Sequence, residues 1–267
     1  MNANASEVST EAILLREDAT GICTLTLNRP RQYNALSGDL LSELQNALDN
    51  ISQNKNIRVV IIAANGKAFC PGHDLKEMRS SEDKAFHQEL FGKCGKMMLT
   101  INQMPQPVIA QVNGIATAAG CQLVANCDLA IATEESRFAV SGINVGLFCS
   151  TPAVPLSRNL PRKQAMQMLV TGDFISAETA LHYGLLNDVV KAEKLQQSCR
   201  ELAEKIVAKS SLAIGLGKEM FYKQLGMELP EAYAFAAEKM ACNMDSEDAR
   251  EGIDAFIEKR KPEWKGK

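Results

Sequence analysis

Two segments rich in small residues each follow an apolar run and precede a helical pattern. They are residues 69–75 and 113–122. Turns of this kind leave the first backbone N–H groups of a helix without partners and pointing outward. Two such groups aimed at one point can hold the negative charge that develops on a carbonyl oxygen. The two segments therefore predict a binding site for an acyl group, unless they are only tight strand-to-helix turns.

The side chains inside these two segments offer little acid–base chemistry. Gln122 is neutral and cannot take up a proton near pH 7. Asp74 stands where it would cap the helix that follows it. His73 carries an imidazole that could act as an acid or a base, although packing at the rim of a site is the commoner use of such a residue. Binding is therefore easier to predict than a reaction.

The hydrophobic pattern predicts the elements that position these segments. Residues 12–17 and 21–28 form a hairpin, and residues 37–53 form a helix capped by Ser37. Continuous apolar runs indicate strands buried on both faces. They are residues 59–64, 108–112 and 129–132. Because helices at 82–104 and from about 118 separate these strands, we expect parallel pairing through right-handed crossovers.

The chain changes character after Pro152. Ser176 and Ser246 are suitable helix N-caps, and Gly172 and Gly184 are suitable helix ends. Six segments have helical periodicity. They are residues 162–170, 177–183, 191–209, 211–224, 229–243 and 247–260. We therefore divide the chain into a flexible N-terminus, an α/β core and a helical C-terminal region. Their bounds are 1–11, 12–190 and 191–267.

Composition narrows the class of partner. The 267 residues are 46% hydrophobic and carry a formal net charge of −3, which allows a sizeable core and disfavours nucleic acid as the main partner. Eight cysteines without a C-x-x-C pair and only three histidines disfavour a zinc site.

No apolar run reaches the ~18 residues of a membrane span. Residues 1–11 match neither a secretory signal nor an Arg-rich transit peptide. We expect a cytoplasmic protein with reduced thiols and no resident metal or cofactor. The mitochondrial matrix is the alternative if a transit peptide has been removed.

Several motifs follow one another in a fixed order from about residue 12 to residue 262. They are Asn28-Arg29-Pro30 with Asn34-Ala35-Leu36, residues 68–78, residues 107–114, Gly120-Cys121-Gln122-Leu123 with Cys127-Asp128, residues 172–177 and residues 256–261. This ordered set resembles the enoyl-CoA hydratase/isomerase (crotonase) family, and it is specific although each motif alone is weak. The resemblance implies an α/β fold, a crotonase-like spiral of ββα units. It also implies that the C-terminal helices pack between subunits of a homotrimer or a dimer of trimers.

The resemblance also implies roles for particular residues. The oxyanion donors are the backbone N–H groups of His73 and Ala119, provided that Ala119 has a negative φ. Hydratases of the family carry two glutamates that activate water, and the corresponding residues in this sequence are Gln122 and Gly142. Cys149 lies near the acyl site and could be a thiolate nucleophile. Because no basic residue adjoins it in sequence, a small wall residue is the favoured interpretation.

Coenzyme A, as part of a thioester substrate, needs cations and backbone donors. The positions that match the family's contacts are Arg29, Ala68, His73, Lys76, Phe256 and Lys259. The last two would reach into the site of a neighbouring subunit, although a basic segment also suits a helix C-terminus.

Together these positions imply an enzyme that binds acyl-CoA or enoyl-CoA and stabilises a thioester enolate, in fatty-acid or acyl-CoA metabolism. Hydratase activity should be weak or altered because Gln122 and Gly142 replace the glutamate pair. Two alternatives stay open. One is a non-catalytic acyl-CoA-binding or regulatory protein, and the other is a decarboxylase-like member in which departure of CO₂ itself leaves the enolate. Restoring both acids, by Gln122→Glu with Gly142→Glu, should show whether their loss is the sole defect.

Overall fold

Two β-sheets, connected by repeated strand–strand–helix units, form the framework of the molecule. The structure is a computed structural model that describes residues 12–267, so the flexible N-terminus predicted at 1–11 lies outside it. The described part contains ten strands. They are β1 Leu14–Ala19, β2 Ile22–Leu27, β3 Val59–Ala64, β4 Ala68–Cys70, β5 Val108–Val112, β6 Ile115–Thr117, β7 Leu129–Thr133, β8 Arg137–Ala139, β9 Ile175–Ser176 and β10 Asp188–Val190.

The larger sheet has six strands in the order β1-β2-β3-β5-β7-β10. The hairpin of β1 and β2 is antiparallel, and the other four pairings are parallel, which confirms both predictions. The smaller sheet has the order β4-β6-β8-β9 and is parallel except for its last pair. Three successive turns of the chain, β3-β4, β5-β6 and β7-β8, thus each place one strand in the larger sheet and the next in the smaller sheet before a helix follows.

Eleven α-helices surround these sheets in the described part of the chain. They are α1 Gly38–Gln53, α2 Leu75–Arg79, α3 Lys84–Gln103, α4 Ala119–Asn126, α5 Ser150–Asn159, α6 Arg162–Thr171, α7 Ala177–His182, α8 Leu195–Val207, α9 Ser211–Gln224, α10 Leu229–Met244 and α11 Glu247–Glu258. Ser37, Ser176 and Ser246 each accept a hydrogen bond from a backbone N–H three residues on, which confirms these N-caps. Within residues 12–267, no helix combines the length and the apolar character needed to cross a membrane.

Strand β3 shows why the larger sheet is apolar on both faces. Val60 and Ile62 lie in the main core, which α1 and α3 cover. Val59 and Ile61 point to the other face and join a second cluster beneath α8. Because successive side chains of a strand alternate between faces, a strand covered on both sides must be a continuous apolar run.

The sequence did not predict the short elements. Four strands of the smaller sheet have two or three residues, which is too short for a periodic pattern to appear. Helix α5 was missed because it contains Pro152 and Pro155, and proline is normally a sign of a helix end. The helix predicted over 191–209 begins at Leu195, because residues 192–194 form a 3₁₀ turn.

A buried ion pair fastens α9 to the core. The Lys218 ammonium donates to the Asp128 carboxylate at 2.7 Å and to the carbonyl groups of Ile101 and Gln106. Asp128 also accepts hydrogen bonds from the Tyr222 hydroxyl and the backbone N–H at the start of β5. Burial lowers the pKa of Lys218, and Asp128 opposes that shift. Every donor and acceptor of this pair therefore has a partner.

We expect Lys218→Met to lower the free energy of unfolding by about 3–5 kcal/mol, because it leaves the Asp128 charge buried without its cation. Lys223→Met is the matched control, since Lys223 pairs with Glu219 on the same helix but is exposed. That substitution should change stability by about 1 kcal/mol or less. Urea unfolding of both variants measures the difference, and equal losses would contradict this role for Lys218.

Candidate functional site

A cavity of about 390 Å³ opens where β4 and β6 lead into the helices that follow them. His73, Ala119, Gly142 and Cys149 line it, so the structure brings together four of the predicted site residues. Most of the remaining wall is apolar, including Phe91. Among the described residues that line the cavity there is no Asp, Glu, Lys or Arg. A ligand here would therefore meet a poorly solvated, uncharged surface.

The first turn leaves one backbone N–H free. Leu36 forms a parallel bridge with His73, in which its N–H donates to the Gly72 carbonyl and its carbonyl accepts from the Asp74 N–H. In a parallel bridge the central residue directs its own N–H away from the partner strand. The His73 N–H makes no hydrogen bond to any described residue.

The second turn leaves a second N–H free. The Ala118 N–H donates to the Ala139 carbonyl of β8, and the Ala118 carbonyl accepts the first helical bond, from Gln122. Ala119 is the first residue of α4, where no intrahelical acceptor exists for its N–H. Ala118 has φ +49° and ψ −120°, a conformation that a residue with a side chain adopts only under strain. Ala119 does not share that positive φ.

Two glycines allow these turns to touch. A Cβ on Gly72 would lie 2.9 Å from the Ala118 Cβ and 3.1 Å from the Ala119 backbone nitrogen. A Cβ on Gly120 would lie 2.0 Å from the Cys70 carbonyl oxygen. No larger residue fits at either position, so the glycines let the two turns lie in contact. The residues that carry the two free N–H groups, His73 and Ala119, therefore line the same cavity.

The imidazole of His73 packs against the cavity wall. Its ring meets the edge of Phe91 with the centroids 5.4 Å apart, and His87 stacks on the same Phe91 ring. Both ring nitrogens of His73 are buried and lack a hydrogen-bond partner in the described part of the chain. Burial lowers the pKa of His73, so the ring is neutral at pH 7.

The nearby carboxylates hold helix ends. Asp74 accepts hydrogen bonds from the N–H groups of Lys76 and Glu77, as expected for a cap of α2. Glu77 accepts the Gly38 N–H at 3.0 Å and so caps α1 from a distance in sequence. Within residues 12–267, no group of three or more His, Cys, Asp or Glu side chains is arranged to hold a metal ion.

The positions of the two expected glutamates differ in how they are used. Gln122 is 4% exposed, does not line the cavity, and leaves its Oε1 buried without a partner among the described residues. At Gly142 a Cβ would lie 2.5 Å from the Leu147 carbonyl oxygen and 2.7 Å from the Cys149 sulfur. The turn that follows fills this space, so a glutamate at position 142 would have to displace the Leu147 carbonyl and the Cys149 sulfur.

Cys149 is a buried thiol at the N-terminus of α5. It is 7% exposed, and its Sγ accepts a hydrogen bond from the Gly142 N–H at 3.3 Å. Burial raises the pKa of the thiol, and the Gly142 N–H opposes this. The thiol is protonated at neutral pH.

Of the predicted coenzyme A contacts, only His73 lines the cavity. Arg29 is half-buried, pairs with Asp74 at 3.3 Å, and donates to the Ala35 carbonyl. The Ala68 side chain is buried, whereas Lys76 is exposed on α2 and makes no ion pair within the described residues. Phe256 is 85% exposed on α11. Lys259 ends that helix in a left-handed conformation with φ +58°.

Sequence reasoning missed Ser141 as a wall residue of the cavity. Its hydroxyl lies 2.7 Å from the Thr117 hydroxyl, which joins the end of β6 to the residue before Gly142. The sequence signal for this role was a hydroxyl side chain directly before Gly142. The contact itself joins residues far apart in sequence and has no periodic pattern.

Comparisons with known proteins agree on one family. A model of the enoyl-CoA hydratase/isomerase family matches residues 17–267. The mitochondrial enoyl-CoA hydratase domain-containing protein 3 of Rattus norvegicus is 47% identical over 244 residues, covering 91% of this chain and 81% of that protein. A crystal structure of an enoyl-CoA hydratase from Mycobacterium smegmatis superposes with a TM-score of 0.94 at 53% identity, over 95% of this chain and 99% of that one. The human enoyl Coenzyme A hydratase domain-containing protein 3 gives 0.92 at 45% identity, over 95% of this chain and all of that one. The expected crotonase fold is thereby confirmed.

We expect Gly142→Ala to lower the free energy of unfolding by about 1–3 kcal/mol, because its Cβ must displace the Leu147 carbonyl and the Cys149 sulfur. Gly217→Ala is the control, since Gly217 lies in α9 and a Cβ there meets nothing within 4 Å. That control should gain up to about 1 kcal/mol from better helix propensity. Chemical unfolding measures both, and a neutral Gly142→Ala variant would refute the crowding at this turn.

Proposed function

The chain belongs to the enoyl-CoA hydratase/isomerase family, and we propose that it binds an acyl-CoA thioester and stabilises the thioester enolate. The donors in this proposal are the backbone N–H groups of His73 and Ala119. The observation that carries the proposal is that both groups lack partners in the described chain and lie on adjoining turns of one cavity. Unpaired backbone donors at an uncharged wall are suited to a carbonyl oxygen that gains negative charge.

The energetic contribution of such donors is substantial. Loss of one oxyanion donor costs about 3 kcal/mol of transition-state stabilisation in enzymes where it has been measured. Both donors here belong to the backbone, and packing around Gly72 and Gly120 fixes their positions. Little reorganisation is needed when charge develops, and the uncharged wall strengthens each hydrogen bond.

The same wall argues against efficient hydration. Adding water to an enoyl thioester needs a base to take a proton and an acid to supply one. Gln122 is neutral, Gly142 has no side chain, and Asp74 and Glu77 are engaged at helix ends. We therefore propose weak or altered hydratase activity in acyl-CoA or fatty-acid metabolism.

A second candidate is loss of CO₂ from a malonyl-type thioester. The first step of that reaction needs no base, because the departing CO₂ leaves its electron pair in the enolate. A carboxylate placed in a cavity without cations is poorly solvated, and that favours its loss as neutral CO₂. A non-catalytic acyl-CoA-binding or regulatory protein would use the same donors without turnover.

The proposal includes an oligomer and a coenzyme A site shared between subunits. Exposed apolar side chains are concentrated on α9 to α11 and the turn after α9, as expected of surfaces that another chain covers. They include Phe221, Leu225, Leu229, Tyr233, Met240, Met244, Ile253, Phe256 and Ile257. We propose a homotrimer or a dimer of trimers in which Phe256 and Lys259 meet the adenosine end of coenzyme A in the neighbouring subunit. Arg29, Ala68 and Lys76 would contribute from the first subunit. The compartment would be the cytoplasm or the mitochondrial matrix.

The proposed function is tested by calorimetric titration with crotonyl-CoA and acetoacetyl-CoA. Hydration is followed in parallel by the absorbance of crotonyl-CoA. We expect binding of both thioesters and hydration close to background, because no carboxylate lines the cavity. Release of CO₂ from malonyl-CoA under the same conditions identifies the second candidate. Rapid hydration of crotonyl-CoA would contradict the interpretation of Gln122 and Gly142, and absence of binding would reject the proposal.

We expect Lys259→Gly to weaken binding of butyryl-CoA by about 1 kcal/mol, or about fivefold, because it removes a partly exposed cation. Glycine adopts the left-handed conformation of this position without strain, so the fold should not suffer. Lys261→Ala, two residues on, is the matched control for general charge. Light scattering on the same samples should give the mass of three or six chains. An affinity that is unchanged at both low and high salt would rule out the role of Lys259.

A further inference from the structure

Helix α11 carries Phe256 and ends at Lys259, but it has little apolar anchoring of its own. Of its twelve residues only Asp248 and Ala255 are buried. Phe256 and Ile257 are 85% and 70% exposed. Burial of an apolar face is what normally holds a helix against its core. The orientation of α11 therefore depends on polar contacts.

The chain that follows Lys259 supplies those contacts. Residues 260–267, here named the strap, fold back along α11 after Lys259 reverses the chain with its left-handed conformation. Arg260 pairs with both carboxylate oxygens of Glu251, at 2.6 and 2.9 Å. The Glu263 N–H donates to the same carboxylate at 2.8 Å. The strap therefore runs antiparallel to the helix, from its last turn towards its first.

Asp248 anchors the far end of the strap. It is 2% exposed, and its carboxylate accepts the backbone N–H groups of Lys265 at 2.7 Å and Gly266 at 3.1 Å. The Ser210 hydroxyl, at the N-cap of α9, donates to it at 2.6 Å. The Asp248 N–H donates in turn to the Lys267 carbonyl. Burial raises the pKa of Asp248, but these hydrogen bonds outweigh burial and hold that pKa below its usual range. A charged carboxylate thus joins α9, α11 and the strap.

Trp264 of the strap fixes the rotation of α11 about its own axis. Its indole N–H donates to the Ala208 carbonyl at 2.8 Å. Its ring lies so close to Gly252 that a Cβ there would be 3.0 Å from the ring carbon Cη2. Gly252 follows Asp248 by one turn, and Phe256 follows Gly252 by another. The contact at Gly252 therefore also sets the direction of Phe256, which lines a cavity of about 470 Å³ together with Trp264.

We propose that Asp248 is a positioning residue for coenzyme A recognition, because it fastens the strap that sets the directions of Phe256 and Lys259. This inference rests on the contact of those two residues with the adenosine end of coenzyme A that is proposed above. Lys259 joins α11 directly to the strap, so release of the strap frees the last turn of the helix. A freed segment must be ordered again when the ligand binds, and this lowers affinity. None of these residues lines the acyl cavity, so the thioester end of the ligand is held independently of Asp248.

The test compares butyryl-CoA with S-butyryl-pantetheine, which has the same acyl group but lacks the adenosine end. In calorimetric titration of the full chain, Asp248→Asn should weaken binding of butyryl-CoA about fivefold, the loss expected for Lys259→Gly. Binding of S-butyryl-pantetheine should not change. The Asn side chain has a nitrogen that cannot accept a hydrogen bond, so a bond from the strap or from Ser210 is lost.

A combined variant shows whether Asp248 acts through the two contact residues. In a chain that already carries Phe256→Ala and Lys259→Gly, adding Asp248→Asn should cause no further loss of butyryl-CoA affinity. Residues that act through one another are not additive in this way, whereas independent sites are.

Two further variants separate positioning from general damage. Asp254→Asn makes the same change of charge at an exposed residue of α11, and it should not weaken binding of either thioester. Trp264→Phe keeps an aromatic ring beside Gly252 but removes the indole donor, so it should give the same selective loss to a smaller extent. Light scattering should give one mass for the wild type and every variant.

Several results would overturn the role of Asp248. An equal loss for both thioesters in Asp248→Asn indicates general damage, and a smaller assembly indicates that the strap holds subunits together. Undiminished binding of butyryl-CoA by Asp248→Asn, or a further fivefold loss in the combined variant, rejects this inference and leaves the proposed function intact. A wild type that binds both thioesters equally rejects the adenosine contact and this inference with it. A wild type that binds neither thioester rejects the acyl-CoA function as well.

Discussion

The close contact between two strand-to-helix turns is the constraint on which the site depends. Gly72 lies against Ala118 and the Ala119 nitrogen, and Gly120 lies against the Cys70 carbonyl. The smaller sheet brings β4 and β6 side by side, so the turns that follow them must share one space. Without a Cβ at either glycine, the two turns lie close enough to place His73 and Ala119, whose N–H groups are unpaired in the described chain, in the lining of one cavity. The strained backbone of Ala118 lies at the same contact.

This arrangement separates binding from proton transfer. The proposed donors belong to the backbone and do not depend on which side chains surround them. Proton transfer depends on side chains, and here the cavity has none that is charged. The 3₁₀ turn after β8 folds back so that Leu147 and Cys149 close the space at Gly142. A chain with this framework can therefore keep a thioester site while its chemistry changes, and for this reason the family name alone does not determine the reaction.

Long elements could be predicted from the sequence because their apolar positions repeat many times, as in α1 and β3. The three-residue strands β4, β6 and β8 could not, although they position the site. The locations of His73 and Ala119 follow from turns that the sequence marks with small residues. The crowding at Gly142 arises from contacts across a turn, and the pairing of Arg29 with Asp74 joins residues 45 apart in sequence. Neither contact leaves a local pattern, so the sequence showed neither the crowding at Gly142 nor the carboxylate partner of Arg29.

The proposed function depends on hydrogen bonds from the N–H groups of His73 and Ala119 to a thioester carbonyl. Isotope-edited infrared difference spectroscopy of butyryl-CoA labelled with ¹³C at the carbonyl measures this bond directly. We expect the carbonyl stretching band to move to lower frequency when the thioester binds, because two donors weaken the C=O bond. A bound thioester whose carbonyl band stays at or above its frequency in water would show that these N–H groups do not donate to the carbonyl.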